Sequence, residues 1–560
     1  MKILVINKVT GKKSKRGRQN KQQLLAVLLT VILIFSVLLT ACNSGTGDSP
    51  DENDDGSNSI PLEERVAEVY ELPLVSEPFT ITFATVENAG IPHSYADNLP
   101  AFRELEKRTG IHVNFEAAPA DQYNTSMQTR LAAAKDLPDL IRVPDDPIRY
   151  ATGGVIIPID GLIGDYAPNI ISLFKERPEV KKAMVAPNGR IYTLSAVVDA
   201  RSMVNLNGIG MRKDWLETLN LKEPDTIDEW YEVLLAFKGG DPNGNGKKDE
   251  IPVLAMNVNG LYKIAWSYGL HLALSDGWYP DEDGNIVYEW IDPKMKDWLQ
   301  EMNKWYEAGL LDPDMDTQNR DKFTAKAIGD VGGVSVSDMT MQFPQWNERM
   351  INDYPHARWE GIVPPEGPKG NRMMEREQPT ENYHYAITKD CENPKLLMQW
   401  LDYMFASEEG KILMGNFGLE GLSYEMVNGK PQFTDYILKS EFGSGIAQAS
   451  LGVNGSFPRI LMREMIEQRF LQYDGEVAQS NIATQYYVPS FPRVLASKEE
   501  SDRFTGIMAD ITTYKDEMLI KFIQGIEPLD KFDDYVISIQ GLGIEDAIKI
   551  KQDQYDRYME

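Results

Sequence analysis

The sequence contains little cysteine and little histidine. Its 560 residues include two cysteines, Cys42 and Cys391, and five histidines. Two cysteines allow one disulfide bond at most, so a chain of this length must be stabilised mainly by its hydrophobic core. No two histidines stand at the spacing of a zinc-binding helix, and the H-E-x-x-H motif is absent. The motifs G-x-S-x-G and G-x-x-x-x-G-K-[ST] are absent too, so the sequence predicts neither a nucleophile elbow nor a P-loop.

Positive charge is also scarce. The chain has 57 Lys and Arg residues against 85 Asp and Glu residues, for a net charge of −28 at pH 7. Nucleic-acid binding needs a basic surface that neutralises phosphates, so the composition argues against it, leaving room only for a small local basic patch. Eight basic residues lie within the first 21 positions, where there is no acid: Lys2, Lys8, Lys12, Lys13, Lys15, Arg16, Arg18 and Lys21.

Only one apolar run approaches the length of a membrane span. Residues 24–39 read LLAVLLTVILIFSVLL, and Leu39-Thr-Ala-Cys42 follows at the end of the run. A basic segment, a short apolar run and small residues before a cleavage site are the features of an export signal. The last four residues resemble the lipobox of bacterial lipoproteins, which implies removal of residues 1–41 and attachment of lipid, palmitate included, to Cys42. The alternative is an uncleaved transmembrane helix, for which the run is short of the usual span of about 20 residues.

A lipid-modified Cys42 would leave Cys391 without a partner, so no internal disulfide is predicted. Residues 43–59 are small, polar and acidic, and such residues cannot bury enough apolar area to become ordered. We assign residues 42–77 to the lipidated cysteine and a flexible acidic tether. The expected protein is therefore a water-soluble body anchored by lipid at the extracytoplasmic face of the cell membrane.

The folded body is predicted to begin near residue 78. Residues 79–86 (FTITFATV) alternate and are rich in β-branched side chains, which predicts a strand. A helix over 101–108 and a second strand over 111–115 follow, and then a helix over 127–134. Residues 137–141 lead into a third strand. Strands that alternate with helices indicate a mostly parallel α/β lobe.

A series of short motifs then follows in a characteristic order, each of them weak by itself. The motifs are KRTGIHV (107–113), DLPDL (136–140), PID (158–160), NGRIY (188–192), RKDWL (212–216), PDTIDEW (224–230), WYEAGLLDP (305–313), GLEG (418–421) and FIQG (522–525). Their order resembles that of extracellular solute-binding proteins (family 1) of ABC importers, over nearly all of residues 79–558. Within that family the chain is most similar to long, lipid-anchored members, including those that bind alginate oligosaccharides.

The resemblance implies an α/β, periplasmic-binding-protein-like fold of type II. Two hinged lobes would hold the ligand between them, and a helical region would start near residue 393. The expected domains are an N-terminal lobe of 78–200 plus about 331–385, and a C-terminal lobe of 201–330 plus about 386–560. The chain would cross between the lobes near 197–210, 331–336 and 384–388.

Residues 241–252 (DPNGNGKKDEIP) are the most chemically informative stretch after the lipobox. Oxygen-bearing side chains occupy loop positions 1, 3, 5 and 9, and Gly246 at position 6 permits a sharp turn. This is how an EF-hand calcium loop begins. Position 12 is Pro252, so the usual bidentate glutamate is missing there, and Glu250 is the available replacement. A metal-free turn built from Asx and Gly residues is the alternative.

The family resemblance supports a structural calcium ion in this loop, because the alginate-binding relatives carry a similar one. The implied ligands come from a single loop, which leaves little room for a substrate at the ion. They are Asp241, Asn243, Asn245, Lys247 (through its backbone carbonyl), Asp249 and Glu250.

Aromatic residues are plentiful, with ten tryptophans and 25 tyrosines. Sugars present apolar ring faces and hydroxyl groups, so a sugar site needs aromatic rings beside polar side chains. Most of these aromatic residues must belong to the core. Those in loops near the predicted crossings, the calcium loop or the end of the first strand are the candidates for a ligand cleft: Tyr95, Trp266, Tyr268, Trp346 and Phe457.

These observations predict a solute-binding lipoprotein that captures an oligosaccharide by lobe closure and presents it to a membrane permease. The protein is expected to act as a monomer, without covalent chemistry. One alternative is a surface glycoside hydrolase or lyase, which would need a carboxylate pair about 5–10 Å apart. A binder of peptides or of another small solute and a purely structural surface lipoprotein are the others. The sequence does not indicate which sugar is bound.

Overall fold

The computed structural model describes residues 61–87, 91, 93–198, 208–337, 342–376, 378–470 and 484–560. The predicted signal peptide, Cys42 and residues 43–60 of the predicted tether lie outside the described residues. Residues Pro61 to Glu560 pack as one unit.

The described chain contains many short strands. The first three correspond to the strands predicted at 79–86, 111–115 and 137–141. In chain order the strands are β1 Phe79–Val86, β2 Ile111–Ala118, β3 Leu140–Arg142, β4 Leu194–Val198, β5 Ile209–Arg212, β6 Ile251–Leu254, β7 Trp278–Pro280, β8 Ile286–Tyr288, β9 Gly332–Ser335, β10 Trp359–Ile362, β11 Met374–Arg376, β12 Thr380–Ile387, β13 Tyr424–Val427, β14 Lys430–Phe433, β15 Ile460–Leu461 and β16 Tyr487–Pro489.

Helices account for a larger share of the described chain than the strands do. They are α1 Pro100–Thr109, α2 Ala120–Ala133, α3 Pro147–Thr152, α4 Asp160–Tyr166, α5 Pro168–Glu176, α6 Pro178–Lys182, α7 Lys213–Thr218, α8 Ile227–Gly239, α9 Lys294–Glu307, α10 Arg320–Ile328, α11 Gln342–Met350, α12 Pro394–Ala406, α13 Glu408–Gly410, α14 Asp435–Leu438, α15 Ser444–Ser450, α16 Arg463–Phe470, α17 Lys498–Ile523, α18 Phe532–Gly541 and α19 Ile544–Met559. Across the described residues, no helix combines the length and the hydropathy needed to cross a bilayer.

A six-stranded sheet forms the centre of the first lobe, in the order β15-β4-β12-β3-β1-β2. β1 pairs with β2 in parallel from Phe79 opposite Ile111 to Val86 opposite Ala118. β3, β4 and β15 run in the same direction, whereas β12 is antiparallel to both of its neighbours. The predicted mostly parallel α/β lobe is confirmed.

The second lobe contains a four-stranded sheet in the order β10-β5-β9-β6. β6 and β9 are parallel, and β5 is antiparallel to both β9 and β10. Its strands are short and buried, and α8 covers one face by burying Trp230, Leu234 and Phe237. Thr226 caps α8 by accepting a hydrogen bond from the backbone N–H of Glu229, which fixes where that helix starts.

Residues 61–77 pack against the first lobe, which differs from the predicted tether of 42–77. Leu62 and Ala67 are buried in the core of that lobe. The backbone N–H of Glu68 donates to the carbonyl of Asp165 at 2.8 Å, and the Tyr70 hydroxyl donates to the Asp402 carboxylate at 2.7 Å. The docking of residues 61–77 arises because they offer apolar side chains and hydrogen-bond partners to the first lobe.

The lobe boundaries also differ from the prediction after residue 331. β9 and β10 belong to the second sheet, so 331–362 lies in the second lobe and not in the first. Conversely, α12 buries Leu397, Trp400 and Leu401 in the core of the first lobe. The helical region from residue 394 to 466 therefore completes the first lobe, and only residues from about 487 onward return to the second. A short apolar strand fits either sheet, so sequence alone could not assign it.

The final three helices complete the second lobe, as predicted for the chain end. Phe522, Tyr535 and Ile544 are buried together with Trp290 and Trp298 in one apolar cluster. Such burial of large side chains is the main stabilising contribution available to a protein of this kind.

The chain passes between the lobes at three places. It leaves β4 at Val198 and enters β5 at Ile209, within the predicted crossing of 197–210. It passes again between β11 and β12, at 376–380, and a third time between β15 and β16. The crossing predicted at 331–336 is instead β9 of the second sheet, and the one predicted at 384–388 lies inside β12, a few residues beyond the actual passage.

Candidate functional site

The direction of the strands identifies the face of each lobe that borders the space between them. β4 ends at the carboxyl edge of the first sheet, and the chain next enters β5. Because β5 is antiparallel to β9, the first residue of β5 lies at the carboxyl edge of the second sheet. β10 ends at that same edge, and β12 begins at the carboxyl edge of the first sheet. The first two crossings therefore join carboxyl edge to carboxyl edge, which is where α/β folds bind ligands.

A cavity of about 530 Å³ has walls from both lobes. One wall is α11 of the second lobe, and the other is the segment from α14 to α15 of the first lobe. Phe442 is 66% exposed in the latter segment, so its ring is open to a ligand. The polar and aromatic residues that line the cavity are Gln345, Glu348, Arg349, Ser440, Glu441, Phe442, Ser444 and Arg469. Their mixture of hydrogen-bonding groups and an exposed ring suits a carbohydrate.

Arg459 organises the polar groups at the carboxyl edge of the first sheet. Its guanidinium donates to the Asn454 side-chain oxygen at 2.6 Å, to the Gly455 carbonyl at 2.9 Å and to the Glu381 carboxylate at 2.8 Å. Arg459 and Glu381 are both largely buried, so the charge-assisted bonds are poorly screened by solvent. The network holds the loop that precedes β15 in place.

Tyr95 also binds the loop that precedes β15. Its hydroxyl accepts a hydrogen bond from the backbone N–H of Ser456 at 2.7 Å, and its ring stacks on Phe115 with centroids 5.0 Å apart. Burial raises the pKa of Tyr95 to about 12, so the hydroxyl stays protonated. The sequence predicts Tyr95 as a cleft residue, but its ring is buried, and its hydroxyl positions the loop that precedes β15.

Tyr383 offers the exposed aromatic ring that the predicted residues do not. It lies near the start of β12, at the carboxyl edge, and is 45% exposed. The Arg142 guanidinium, at the end of β3, lies 4.0 Å from the centre of its ring. Sequence alone does not single out either residue, because Tyr383 and Tyr385 alternate along one strand and no local pattern distinguishes the exposed ring from the buried one.

The 241–252 loop forms a tight series of turns before β6. The Asp241 carboxylate accepts from the backbone N–H of Gly246 at 3.1 Å, and the Asn245 side-chain oxygen accepts from the N–H of Lys247 at 2.7 Å. Gly246 has a positive φ of 73°, which its missing side chain allows without strain. The side-chain oxygens therefore turn toward the inside of the loop, as in a cation-binding loop.

Glu250 supplies the observation that tests whether a cation fits. Its Oε1 atom is buried without a hydrogen-bond partner in the described structure. Burial raises the pKa of this carboxyl group, and the nearby charges of Asp249 and Asp241 raise it further. A bound divalent cation would satisfy the buried oxygen and compensate all three charges, so the residues fit the group.

The other predicted donors are two asparagine side chains and one backbone carbonyl, so the loop depends on few carboxylates. Among all described residues, this loop included, no three or more His, Cys, Asp or Glu side chains are arranged around a common metal position. Closure of the loop around an ion would therefore need small side-chain movements.

The comparison with protein families agrees with this architecture. Residues 93–411, more than half of the chain, match the family described as bacterial extracellular solute-binding protein. The chain belongs to this family. The resemblance seen in the sequence motifs is thereby confirmed, and so is the two-lobed α/β fold.

Relatives of this solute-binding protein are similar over most of its length. The fructooligosaccharide ABC transporter substrate-binding protein FusA from Streptococcus pneumoniae is 27% identical over 95% of this chain and 97% of its own. The crystal structure of the alginate-binding protein AlgQ2 without calcium ion matches with a TM-score of 0.70 and 26% identity, over 86% of this chain and 99% of that one. A structure of an EF-hand mutant of FusA with fructo-nystose has the same fold, with a TM-score of 0.68 over 86% and 99% of the two chains and 24% identity.

Trp266 of the solute-binding protein is fully buried, unlike the cleft residue that the sequence suggested. Its indole N–H donates to the Glu375 carboxylate at 3.0 Å. Glu375 also accepts from the backbone N–H groups of Ala273 and Leu274, and from the Ser275 hydroxyl. This buried carboxylate thus joins β11, next to the interlobe passage, to two segments of the second lobe.

The remaining predicted cleft aromatics are also buried. Trp346 packs on Trp359 at a centroid distance of 5.3 Å, and Phe457 packs edge-to-face on Phe102 at 5.5 Å. Tyr268 lies at a separate cavity of about 720 Å³ on the second lobe, between α9 and residues 368–371. Large rings have more apolar area to bury than any other residue, so their position in a loop was a weak guide to exposure.

The surroundings of Cys391 and His384 favour the neutral forms of both side chains. Cys391 is partly buried, and burial raises the pKa of its thiol to about 12, which leaves the reactive thiolate unpopulated. His384 is buried in β12, with its Nδ1 atom 3.2 Å from the Thr193 hydroxyl and 3.3 Å from the Ser195 hydroxyl.

Proposed function

We propose that this solute-binding protein captures an oligosaccharide between its two lobes and delivers it to the permease of an ABC importer. The observation that carries the proposal is the cavity with walls from both lobes. A ligand held there touches both lobes and therefore favours the closed arrangement over the open one.

Oligosaccharide is the ligand class that the groups around the cleft favour. Phe442 presents an exposed ring in the cavity. Tyr383 presents another at the carboxyl edge of the first sheet, where the Arg459 network holds amide, carbonyl and carboxylate oxygens. Sugar rings pack on aromatic faces, and their hydroxyl groups both donate and accept hydrogen bonds. The ligands in the names of FusA and AlgQ2 are oligosaccharides or polysaccharides, which supports the same class.

A thermal-shift screen tests the proposal directly. The chain without its predicted signal and lipid (residues 43–560), which contains the whole packed unit, is heated with neutral and acidic oligosaccharides and with small peptides. A ligand that binds only the folded state raises the melting temperature by mass action. An increase with an oligosaccharide that is recovered unchanged supports the proposal. Consumption of the sugar would instead indicate a hydrolase or lyase, and an increase with peptides alone would contradict the sugar class.

The calcium loop is proposed to stabilise the second lobe. Asp241, Asn243, Asn245, Asp249 and Glu250 would supply side-chain oxygens, and Lys247 would supply its carbonyl. The ion would provide structural charge compensation at the start of β6, which pairs with β9 in the second sheet. The words "EF-hand" and "without calcium ion" in the names of the FusA and AlgQ2 structures support a cation at this kind of loop in relatives.

The lipid anchor remains a proposal from the sequence, since Cys42 lies outside the described residues. Intact-mass measurement of the protein extracted from membranes tests it. Acylated Cys42 at the N-terminus is expected, and a Cys42→Ala variant should appear in the soluble fraction or keep its signal peptide. We also propose that the anchored protein acts as a monomer.

A further inference from the structure

Arg142 differs from the other well-placed cation at the carboxyl edge of the first sheet. Arg459 directs its donors at Asn454, Gly455 and Glu381. The Arg142 guanidinium contacts the Tyr383 ring and makes no hydrogen bond or ion pair with the residues that the structure describes. In a chain where acids outnumber basic residues by 85 to 57, an arginine left without a carboxylate at a ligand edge requires an explanation.

This arrangement leaves the donors of Arg142 available to a ligand. The centre of its guanidinium lies 4.0 Å from the centre of the Tyr383 ring, and its N–H groups have no acceptor among the described residues. Tyr383 is 45% exposed, so part of its surface is open beside those donors. The pair thus presents an apolar ring and a rigid N–H fork at one place. That combination matches a sugar ring that carries a carboxylate.

The charges near the pair are compatible with an acidic ligand. Glu381, two residues before Tyr383, is paired with Arg459 at 2.8 Å, so its charge is already compensated. The Arg142 guanidinium has no carboxylate partner among the described residues, so its charge is available to compensate a carboxylate that enters this edge.

We propose that Arg142 and Tyr383 form a subsite that selects oligosaccharides containing a uronic acid. Arg142 binds the ligand carboxylate through two parallel N–H groups, and Tyr383 contacts the sugar ring. The inference rests on the proposed oligosaccharide function and selects a substrate class within it.

Calorimetric titration with a matched pair of ligands tests the subsite. One ligand is a uronic-acid trisaccharide, and the other is the same trisaccharide with its carboxyl groups reduced to alcohols. The wild-type protein is expected to bind the acidic form about tenfold or more tightly than the reduced form. Arg142→Gln should remove that preference while leaving the affinity for the reduced form within about threefold. Higher ionic strength should weaken only the acidic ligand.

Two controls keep the result interpretable. Arg149→Gln removes an exposed arginine seven residues away and should leave both affinities unchanged. Arg142→Lys keeps the charge but loses the fork, so partial loss of the preference is expected, and this variant replaces Arg142→Gln if the latter does not fold.

The alternatives give different results. Equal binding of the two trisaccharides by the wild type, or binding of the reduced form alone, would overturn the acidic subsite and leave the oligosaccharide function intact. An unchanged preference in Arg142→Gln would overturn the role of Arg142. Failure of both trisaccharides, together with failure of every other oligosaccharide in the thermal screen, would overturn the proposed function and the subsite with it.

Discussion

Glu375 shows how one residue can tie several segments together. Its buried carboxylate accepts hydrogen bonds from Trp266, Ala273, Leu274 and Ser275. Four donors converging on one anion compensate the cost of burying its charge. Trp266 contributes to this network through the hydrogen bond from its indole N–H to the Glu375 carboxylate.

We predict that Glu375→Ala lowers the free energy of unfolding by about 2–4 kcal/mol, because four buried donors lose their acceptor. Urea unfolding followed by tryptophan fluorescence measures the change. Glu425→Ala on β13, where the side chain is exposed, is the matched control and should change stability by less than about 0.5 kcal/mol. A loss at Glu375 no larger than the loss at Glu425 would contradict the network.

His384 gives a prediction for the dependence of stability on pH. Burial, with a smaller effect of the Arg493 charge, lowers its pKa from 6.5 to about 4. The neutral form is favoured in the folded state, so its stabilising contribution is complete above pH 6.5 and is lost as the pH falls toward 4. The full contribution is roughly 3 kcal/mol for a shift of this size.

The measurement compares wild type with His384→Gln between pH 4 and 7.5. The difference in stability should change across that window, with the wild type losing more as the pH falls. The comparison at each pH is needed because burial raises the pKa of Asp402 to about 6, which gives stability an opposite dependence in part of the same range. Parallel curves for the two proteins would rule out the titration of His384.

At this scale, a motif with fixed spacing can be read from sequence more easily than the exposure of a side chain. The 241–252 loop stands out because its oxygen-bearing residues occur at fixed spacings within twelve neighbouring residues, and its calcium site stays a prediction. The ligand-edge pair of Arg142 and Tyr383 was not found, because the two residues are 241 positions apart and meet only through the pairing of β3 with β12. The positions of the rings of Trp266, Trp346 and Phe457 are set by tertiary packing, which no local pattern encodes.

Among the elements, the 241–252 loop is the one whose order we expect to affect the stability of a whole lobe. It leads directly into β6, the edge strand of the second sheet. Ordering the loop around an ion would restrict the entry to that strand.

We predict that removing calcium with a chelator lowers the melting temperature and that excess calcium restores it. A concentration 100 times the dissociation constant stabilises by about 2.7 kcal/mol through mass action, a shift of several degrees. Asp249→Asn should reduce the response to calcium. Asp281→Asn alters a similar acidic turn, in which Asp281 accepts from the N–H groups of Asp283 and Asn285, and should leave the response intact. Identical melting of wild type with chelator and with calcium would contradict the proposal.

The order and type of the early elements could be predicted, because β1, α1 and β2 are long and have clear periodicity. The assignment of later elements to lobes could not. β9 has four residues, two of them glycine, and such a strand gives no sign of which sheet it joins. The docking of residues 61–77 depends on partners such as Asp165 and Asp402, which are far away in the sequence.

At the scale of the whole molecule, hydrogen bonds connect the second and third passages between the lobes where these two segments run side by side. Gln378 donates to the Ser490 hydroxyl at 2.6 Å and to the Phe491 carbonyl, and its side-chain oxygen accepts from the N–H of Arg493 at 3.2 Å. Ser490 in turn donates to the Arg376 carbonyl at 2.6 Å. The second and third passages are thereby held together as one unit.

We predict that Gln378→Ala widens the range of lobe arrangements in the absence of ligand and weakens ligand binding by about three- to tenfold, because closure must then order a looser connection. Small-angle scattering should show a larger radius of gyration for the free variant than for the free wild type. Gln432→Ala on β14, an exposed glutamine, is the matched control. Identical scattering and affinity for the Gln378 variant and the wild type would show that the brace does not govern closure.

The buried thiol of Cys391 has a practical consequence for measuring that closure. The predicted soluble body contains no other cysteine, and a thiol with a pKa near 12 reacts slowly with maleimides at neutral pH. Cysteines introduced at exposed Gln345 and Glu441, on opposite walls of the interlobe cavity, would then react first with a pair of fluorescent dyes. Energy transfer between the dyes would report the opening and closing of the cavity for single molecules, without removal of the native cysteine.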